Sequence, residues 1–346
     1  MASRSRPPAA SVMPLMEISS GFWAFKTLAA ATELDLFTRL SRSKGATSAE
    51  LAGALGIDGR PAEMLLTGCA ALGLLKKRRA RYVNSPLAER FLVKGVPQYF
   101  GGFVEMLDKR LYAGWGKLTE ALRTNRPTTW DPDVQQSLFD GADPVMLAHF
   151  WQAMHSISIS TGAALARALD WKRFRRVLDV GGGSGAFDIE LCRRHRHLQS
   201  TVYDLPHVVE IAAANVAQAG LQSRVQTVGG DLFADAAYPQ GHDAVLLSLI
   251  MHDWSEADDR RILQKCFAAL PSGGAVIICE LLVNEAKTGP APAALMSLNM
   301  LVETAGGRNY TAGEYSSWLR DLGFRRIRTV RFRAPGADGA VIGYKP

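Results

Sequence analysis

Residues 177–195, VLDVGGGSGAFDIELCRRH, bring three apolar positions and an acid into four glycines among five residues, after which helix-like sequence begins. Glycine has no Cβ, so such a turn lets backbone N–H groups come very close to a ligand. Acids follow at the expected ends of further strands: Asp204, Asp231 in GGD, and Glu280, with His252–Asp253 after another. In a doubly wound sheet ligands sit beyond the carboxyl ends of the strands, so these groups gather at one edge.

The stretch GGGSGA fits the loose G-x-G-x-x-A form, a weak signal alone, because nicotinamide, flavin, ATP and S-adenosylmethionine sites all open this way. Asp204, 19 residues beyond Gly185, suits ribose hydroxyls in any of them. Asp231 tips the balance: an adenine amino group can donate to it, and a cationic sulfonium tolerates an acidic surround that a pyrophosphate would not. A hydroxyl that is to act as a nucleophile must lose its proton, and histidine is well matched to removing it near neutral pH. Only His252 follows a strand on the cofactor edge. His195 and His197 end a basic helix, His207 begins one, His242 precedes a strand, and His149 and His155 belong to a helix able to cover the site. No cluster with metal-ligand spacing stands beside His252, so no metal is expected.

The elements that must position these groups follow from pattern. Strand candidates at 177–180, 201–204, 225–230, 243–250 and 275–279 alternate with helical segments, which predicts a Rossmann-like α/β doubly wound parallel sheet. Two last strands near 325–332 and 340–344 are too close for a crossover helix, so they form an antiparallel hairpin, the arginine-rich member at the sheet edge. Ahead of the sheet, an apolar helix over 14–31, a capping box Thr47–Glu50, a helix from Pro61 and a basic hairpin spell an α-helical winged-helix unit. Its second helix lacks the Arg, Asn and Gln side chains that read base edges, which favours a homodimer over nucleic acid. The organisation expected is a disordered tail 1–12, a dimerisation domain 13–97, a helical linker 98–170 that contributes to the substrate pocket, and a catalytic domain 171–346. With no long apolar run, no apolar segment behind the first arginines and four scattered cysteines, the expectation is a cytoplasmic protein off the membrane.

Taken in order, LDVGGGSG, YDLPHV, GGDLF, HDWSEADDRRIL, CELLV and GGRNYTAGEY resemble the S-adenosylmethionine-dependent O-methyltransferases of the caffeic-acid and acetylserotonin type, whose bacterial members decorate antibiotics and pigments. The resemblance spans nearly the whole chain. It implies that Gly181, Gly183 and Gly185 pass close to the cofactor with Asp179 at their base. Asp204 and Leu205 would serve the ribose, and Asp231, Leu232 and Phe233 the adenine. His252 would be the general base, with Glu280 holding its ring. Phe150, Met154 and Met300 would shape a cavity for a small aromatic substrate, with His155, Met251, Met296 and Asn299 beside them.

The chain departs from that family at two places. Ser248 stands where plant relatives carry a lysine that reaches the cofactor, and Asn309 where a second acid brackets the histidine. Neighbouring residues do not face each other, so Asp253 is expected to be poorly placed to hold the ring. With one carboxylate missing, the base should be weaker and the natural hydroxyl more acidic than a simple phenol. The alternatives are N- or C-methylation, or another cofactor-using reaction, on the same scaffold, and a winged-helix regulator that senses a small molecule.

Overall fold

The computed structural model describes residues 11–96, 98–135 and 144–346, with 144–149 as helix backbone only. Most of the tail expected at 1–12 lies outside the described residues. The chain divides into two compact units that meet between Asp108 and Lys109. That boundary falls inside the segment 98–170 expected as a linker.

The first unit starts with α1 (Met13–Glu33), α2 (Leu36–Ser41), α3 (Ser48–Leu55) and α4 (Gly59–Ala71), followed by the antiparallel pair β1 (Leu75–Arg78) and β2 (Arg81–Asn84), then α5 (Pro86–Phe91) and α6 (Gly101–Met106). Thr47 caps α3 as its sequence predicts: the Glu50 N–H donates to the Thr47 hydroxyl, and the Thr47 N–H to the Glu50 carboxylate. Leu36, Phe37, Leu40, Leu51, Leu66 and Tyr82 form the core of this unit. Leu15, Ile18, Phe22 and Trp23 of α1 stay exposed, Ile18 by 78%.

The second unit follows a π-helical turn (Leu107–Leu111) with α7 (Tyr112–Trp115), α8 (Leu118–Thr124) and the long α9 (Pro144–Ala168). It then alternates through β3 (Arg176–Val180), α10 (Ala186–Arg194), β4 (Gln199–Asp204), α11 (Pro206–Gln218), β5 (Val225–Gly229) and β6 (Ala244–Ser248). A 3-10 turn (Met251–Asp253) leads to α12 (Glu256–Ala269), β7 (Ala275–Glu280), α13 (Ala291–Glu303), α14 (Ala312–Asp321), β8 (Arg325–Arg331) and β9 (Gly339–Tyr344). The seven strands lie in the order β5-β4-β3-β6-β7-β9-β8. The first five run parallel, and β9 is antiparallel to both its neighbours. β6 and β7 are buried along their whole length, which is why they read as unbroken apolar runs. β8 is one of the two edge strands, with Arg325, Arg326, Arg328 and Arg331 turned to solvent. Strand order reverses between β3 and β6, and the crevice beyond their carboxyl ends is where such sheets hold ligands.

Among the described residues no helix is long and apolar enough to cross a membrane. All four cysteines are buried and unpaired.

Candidate active site

One wall of the crevice is the glycine turn after β3. Gly181, Gly183 and Gly185 all take left-handed φ, at +70°, +55° and +72°. A Cβ on Gly181 would stand 2.4 Å from Ile250 Cδ1, and one on Gly183 would stand 2.9 Å from the Trp151 ring. Backbone angle disfavours side chains at all three, and space excludes them as well at Gly181 and Gly183. The carboxylate of Asp204 closes the turn, accepting from the Gly183 N–H at 2.8 Å and the Leu205 N–H at 2.7 Å. Asp231 holds its own loop in the same manner, one oxygen accepting from the N–H groups of Phe233 and Ala234. The Lys265 ammonium donates to the carbonyls of Leu232 and Phe233 and secures that loop from below.

Asp179 and Ser248 lie beneath the turn. Asp179 is fully buried and accepts a 3.4 Å hydrogen bond from the Ser248 hydroxyl. Burial, reinforced by the neighbouring Asp188, pushes its carboxyl well above the usual range. Ser248 therefore supports Asp179 from inside the fold and does not take up the long reach of a lysine.

α9 covers the turn with two adjacent faces. Trp151 and His155, one helical turn apart, face the glycines, whereas Phe150 and Met154 form the next stripe. His155 was expected among the substrate contacts, but it sits against the glycine turn. Asn215 can only donate to its Nδ1, so Nδ1 is the acceptor and the Ser184 hydroxyl donates to it at 2.9 Å. Burial, with Arg193 nearby, lowers the ring to about 4 and keeps it neutral.

The other wall is the turn after β6. Leu249, at φ +57°, takes a backbone conformation costly for a branched residue and swings the chain out of the strand. The Glu280 carboxylate, fully buried at the end of β7, then organises the turn. Its Oε1 accepts from the N–H groups of Ile250 and Met251, both at 3.0 Å, and its Oε2 lies 2.5 Å from His252 Nδ1. This leaves Nε2 as the ring atom available for chemistry.

Asp253 corrects an expectation. Its Oδ1 lies 3.5 Å from His252 Nε2, because the tight 3-10 turn curls the two side chains together where a strand or an α-helix would part them. Burial works against the charged ring, yet Glu280 and then Asp253 outweigh it and push the His252 pKa up to about 9. The ring thus has two carboxylates, and the weak base argued from Asn309 is overturned. Asn309 itself donates from its amide nitrogen to the Leu281 carbonyl at 2.8 Å, beside the residue that holds the ring.

α13 supplies the third side. Met300 is buried, and Met296 packs on Leu281 and Val283. The Asn299 carbonyl accepts from Trp115 Nε1 at 2.8 Å, which fixes its orientation. Met251 differs from its expected place, because its side chain is wholly buried in the sheet core with Leu178, Val180 and Leu247. Two partners escaped the sequence altogether: Arg110 and Glu303 form a nearly buried ion pair at 2.6 Å, with the guanidinium 5.7 Å from the Phe150 ring. Nothing in the sequence joins residues 193 positions apart.

A cavity of about 330 Å³ between Arg176, Thr201, Gln226 and His242 opens at the other, amino end of the strands and shares none of these groups. Among the described residues no group of three or more His, Cys, Asp or Glu side chains could hold a metal.

Comparison with known proteins gives this geometry its context. Residues 115–325 match the O-methyltransferase domain, and residues 16–94 the O-methyltransferase dimerisation domain. The chain is 50% identical to 3-hydroxy-5-methyl-1-naphthoate 3-O-methyltransferase of Streptomyces sahachiroi, covering 96% of this chain and 94% of that one. It is 34% identical to the tetracenomycin polyketide synthesis 8-O-methyl transferase of Streptomyces glaucescens, over 96% of each. The crystal structure of human N-acetylserotonin methyltransferase in complex with S-adenosylmethionine superposes with a TM-score of 0.87 at 26% identity, covering 100% of this chain and 99% of that one. Glycine turn, acid-lined edge, histidine turn and winged-helix unit thus stand in one chain in the family's order, and the protein belongs to the S-adenosylmethionine-dependent O-methyltransferases.

Proposed function

We propose that the enzyme methylates an aromatic hydroxyl of a small, flat secondary metabolite, with His252 Nε2 receiving the hydroxyl proton. The observation that carries this reading is the Glu280-held His252 facing the glycine turn across the switch point, in a chain half identical to an enzyme named for a hydroxynaphthoate. S-adenosylmethionine would supply an electrophilic methyl on a sulfonium. The residues fit that group: a side-chain-free turn is flanked by Asp204 and Asp231, a surround that suits a cation and would repel a pyrophosphate. The backbone of Gly181, Gly183 and Gly185 would lie along the cofactor, Asp204 and Leu205 at the ribose, and the Asp231 loop at the adenine.

On the substrate side, Phe150, Met154, Met296 and Met300 give an apolar, adaptable wall for an aromatic ring, and the fixed Asn299 gives it a polar contact. A hydroxyl with a pKa of about 10 loses its proton readily only to a well-placed acceptor. Incubation with S-adenosylmethionine and a panel of hydroxynaphthoates tests the reading. A methyl ether identified by mass spectrometry is expected, and methylation at nitrogen or carbon alone would contradict it.

The dimerisation domain and the bare apolar face of α1 support a homodimer built through the first unit. Light scattering should give the mass of a dimer, and a monomer at micromolar concentration would count against it. Four buried thiols fit a cytoplasmic setting.

A further inference from the structure

The two nitrogens of His252 meet different carboxylates. Nδ1 lies 2.5 Å from Glu280 Oε2, and Nε2 lies 3.5 Å from Asp253 Oδ1. A neutral imidazole has one N–H and one lone pair, so it can satisfy only one of these neighbours and turns a lone pair on the other. Only the doubly protonated ring suits both. Such a ring has no lone pair with which to receive a substrate proton, which sets a requirement on the cycle proposed above.

We propose that His252 rests as an imidazolium, and that Asp253 is the positioning residue through which the Nε2 proton leaves when the substrate hydroxyl arrives. Once Nε2 and Asp253 Oδ1 close from ion-pair to hydrogen-bond distance, the N–H bond on Nε2 breaks as an O–H bond forms on Oδ1, and Asp253 passes that proton to water. The Nε2 lone pair then takes the hydroxyl proton as the oxygen acquires its methyl group. Loss of product leaves His252 doubly protonated again, so one proton per turnover exits early and no separate reset is needed.

The neighbours of the pair suit this task. The Asp253 side chain is 38% exposed, against 11% for His252 and 1% for Glu280, so Asp253 is the member with a route to solvent. From α13, Glu303 adds a like charge towards Asp253, and Arg110 in turn holds Glu303. A partly buried setting, opposed by His252 and aided by Glu280 and Glu303, raises the Asp253 carboxyl, which suits it to lending a proton and taking one back. Glu280 cannot do the same, because three donors occupy its two oxygens. Asp259 on α12 is wholly buried and held protonated by burial, with a pKa of about 10, so it brings no charge of its own. Asn309 is neutral. Asp253 thus supplies the second carboxylate that the chain lacks at position 309.

The proposal rests on His252 as the proton acceptor, but its first test needs no substrate. In full-length protein with 15N-labelled histidine, the His252 signals assigned by their loss in His252→Gln should show both ring nitrogens protonated at about pH 7.5 and titration near pH 9. Asp253→Asn should lower that midpoint by about one unit or more, and Asp253→Glu should restore most of it. A neutral ring in the wild type at pH 7.5, or an unmoved midpoint in Asp253→Asn, overturns the proposal. If the Asn variant does not fold, the wild-type and Glu spectra still decide. In a second test, enzyme loaded with S-adenosylhomocysteine is mixed with 3-hydroxy-5-methyl-1-naphthoate in weak buffer containing a pH indicator. About one proton per site should be released by the wild type, and the release should be markedly slower in Asp253→Asn. Binding without release in the wild type contradicts the exit route. Absence of binding counts against the proposed substrate class and leaves the spectra to judge the resting ring.

Discussion

The glycine turn after β3 and the histidine turn after β6 face one another across the same crevice, yet they are built on opposite terms. The first is shaped by the absence of side chains. Three left-handed glycines and the Asp204 carboxylate fix a bare backbone surface within about 25 residues of sequence. The second is assembled from side chains that arrive from β7, α13 and the π-helical turn, and it depends on Glu280, Glu303 and Arg110 being in place together. A surface made of local backbone fails all at once when one Cβ is added, whereas a surface made of distant charges degrades by steps.

Gly183→Val tests the first half of that contrast and should have the largest effect. The new Cβ would meet the Trp151 ring at 2.9 Å, and a β-branched residue is badly strained at φ +55°. Calorimetry should show no S-adenosylmethionine binding while the first unit keeps its circular dichroism signal. Wild-type affinity would show that this turn does not hold the cofactor.

Glu280→Gln tests the second half. The amide oxygen can still accept from the Ile250 and Met251 N–H groups, but the amide nitrogen would then face Nδ1 and force its lone pair inward. Turnover should fall by about 10² while cofactor affinity changes little. A fall in both together would mean that the two walls are not separable.

A smaller effect should appear in stability. Because the folded His252 ring has a pKa raised to about 9, its contribution is complete below the unfolded value of about 6.5 and is lost as pH rises through about 9. The difference in Tm between the wild type and His252→Gln should therefore shrink between about pH 6 and pH 9.5. A difference that stays constant would mean that the ring is uncharged in the folded state.

The same contrast explains what the sequence could disclose. The glycine turn, the acids at strand ends, the Thr47–Glu50 cap and the arginine-rich edge strand are local patterns, and each lies where its residues predict. The partner of His252 was legible only through the family resemblance; in the fold β7 lies beside β6, which brings Glu280 to the ring. Asp253 was misjudged because the argument from adjacent residues holds for strands and α-helices, and the chain forms a 3-10 turn there. Met251 and His155 were expected beside the substrate cavity, but the fold turns one into the core and the other onto Ser184. Arg110 and Glu303 gave no signal, since only the packing of α13 against the π-helical turn joins them.

His252→Ala measures the central claim most directly, read as turnover beside S-adenosylmethionine affinity on the same preparation. Turnover should drop by about 10²–10⁴ with cofactor affinity within a few-fold of wild type, since the ring lies on the wall that handles the proton and not on the wall of glycines. Turnover close to wild type on a hydroxyl substrate, or loss of cofactor binding together with activity, would contradict the assignment of His252 as the group that receives the proton.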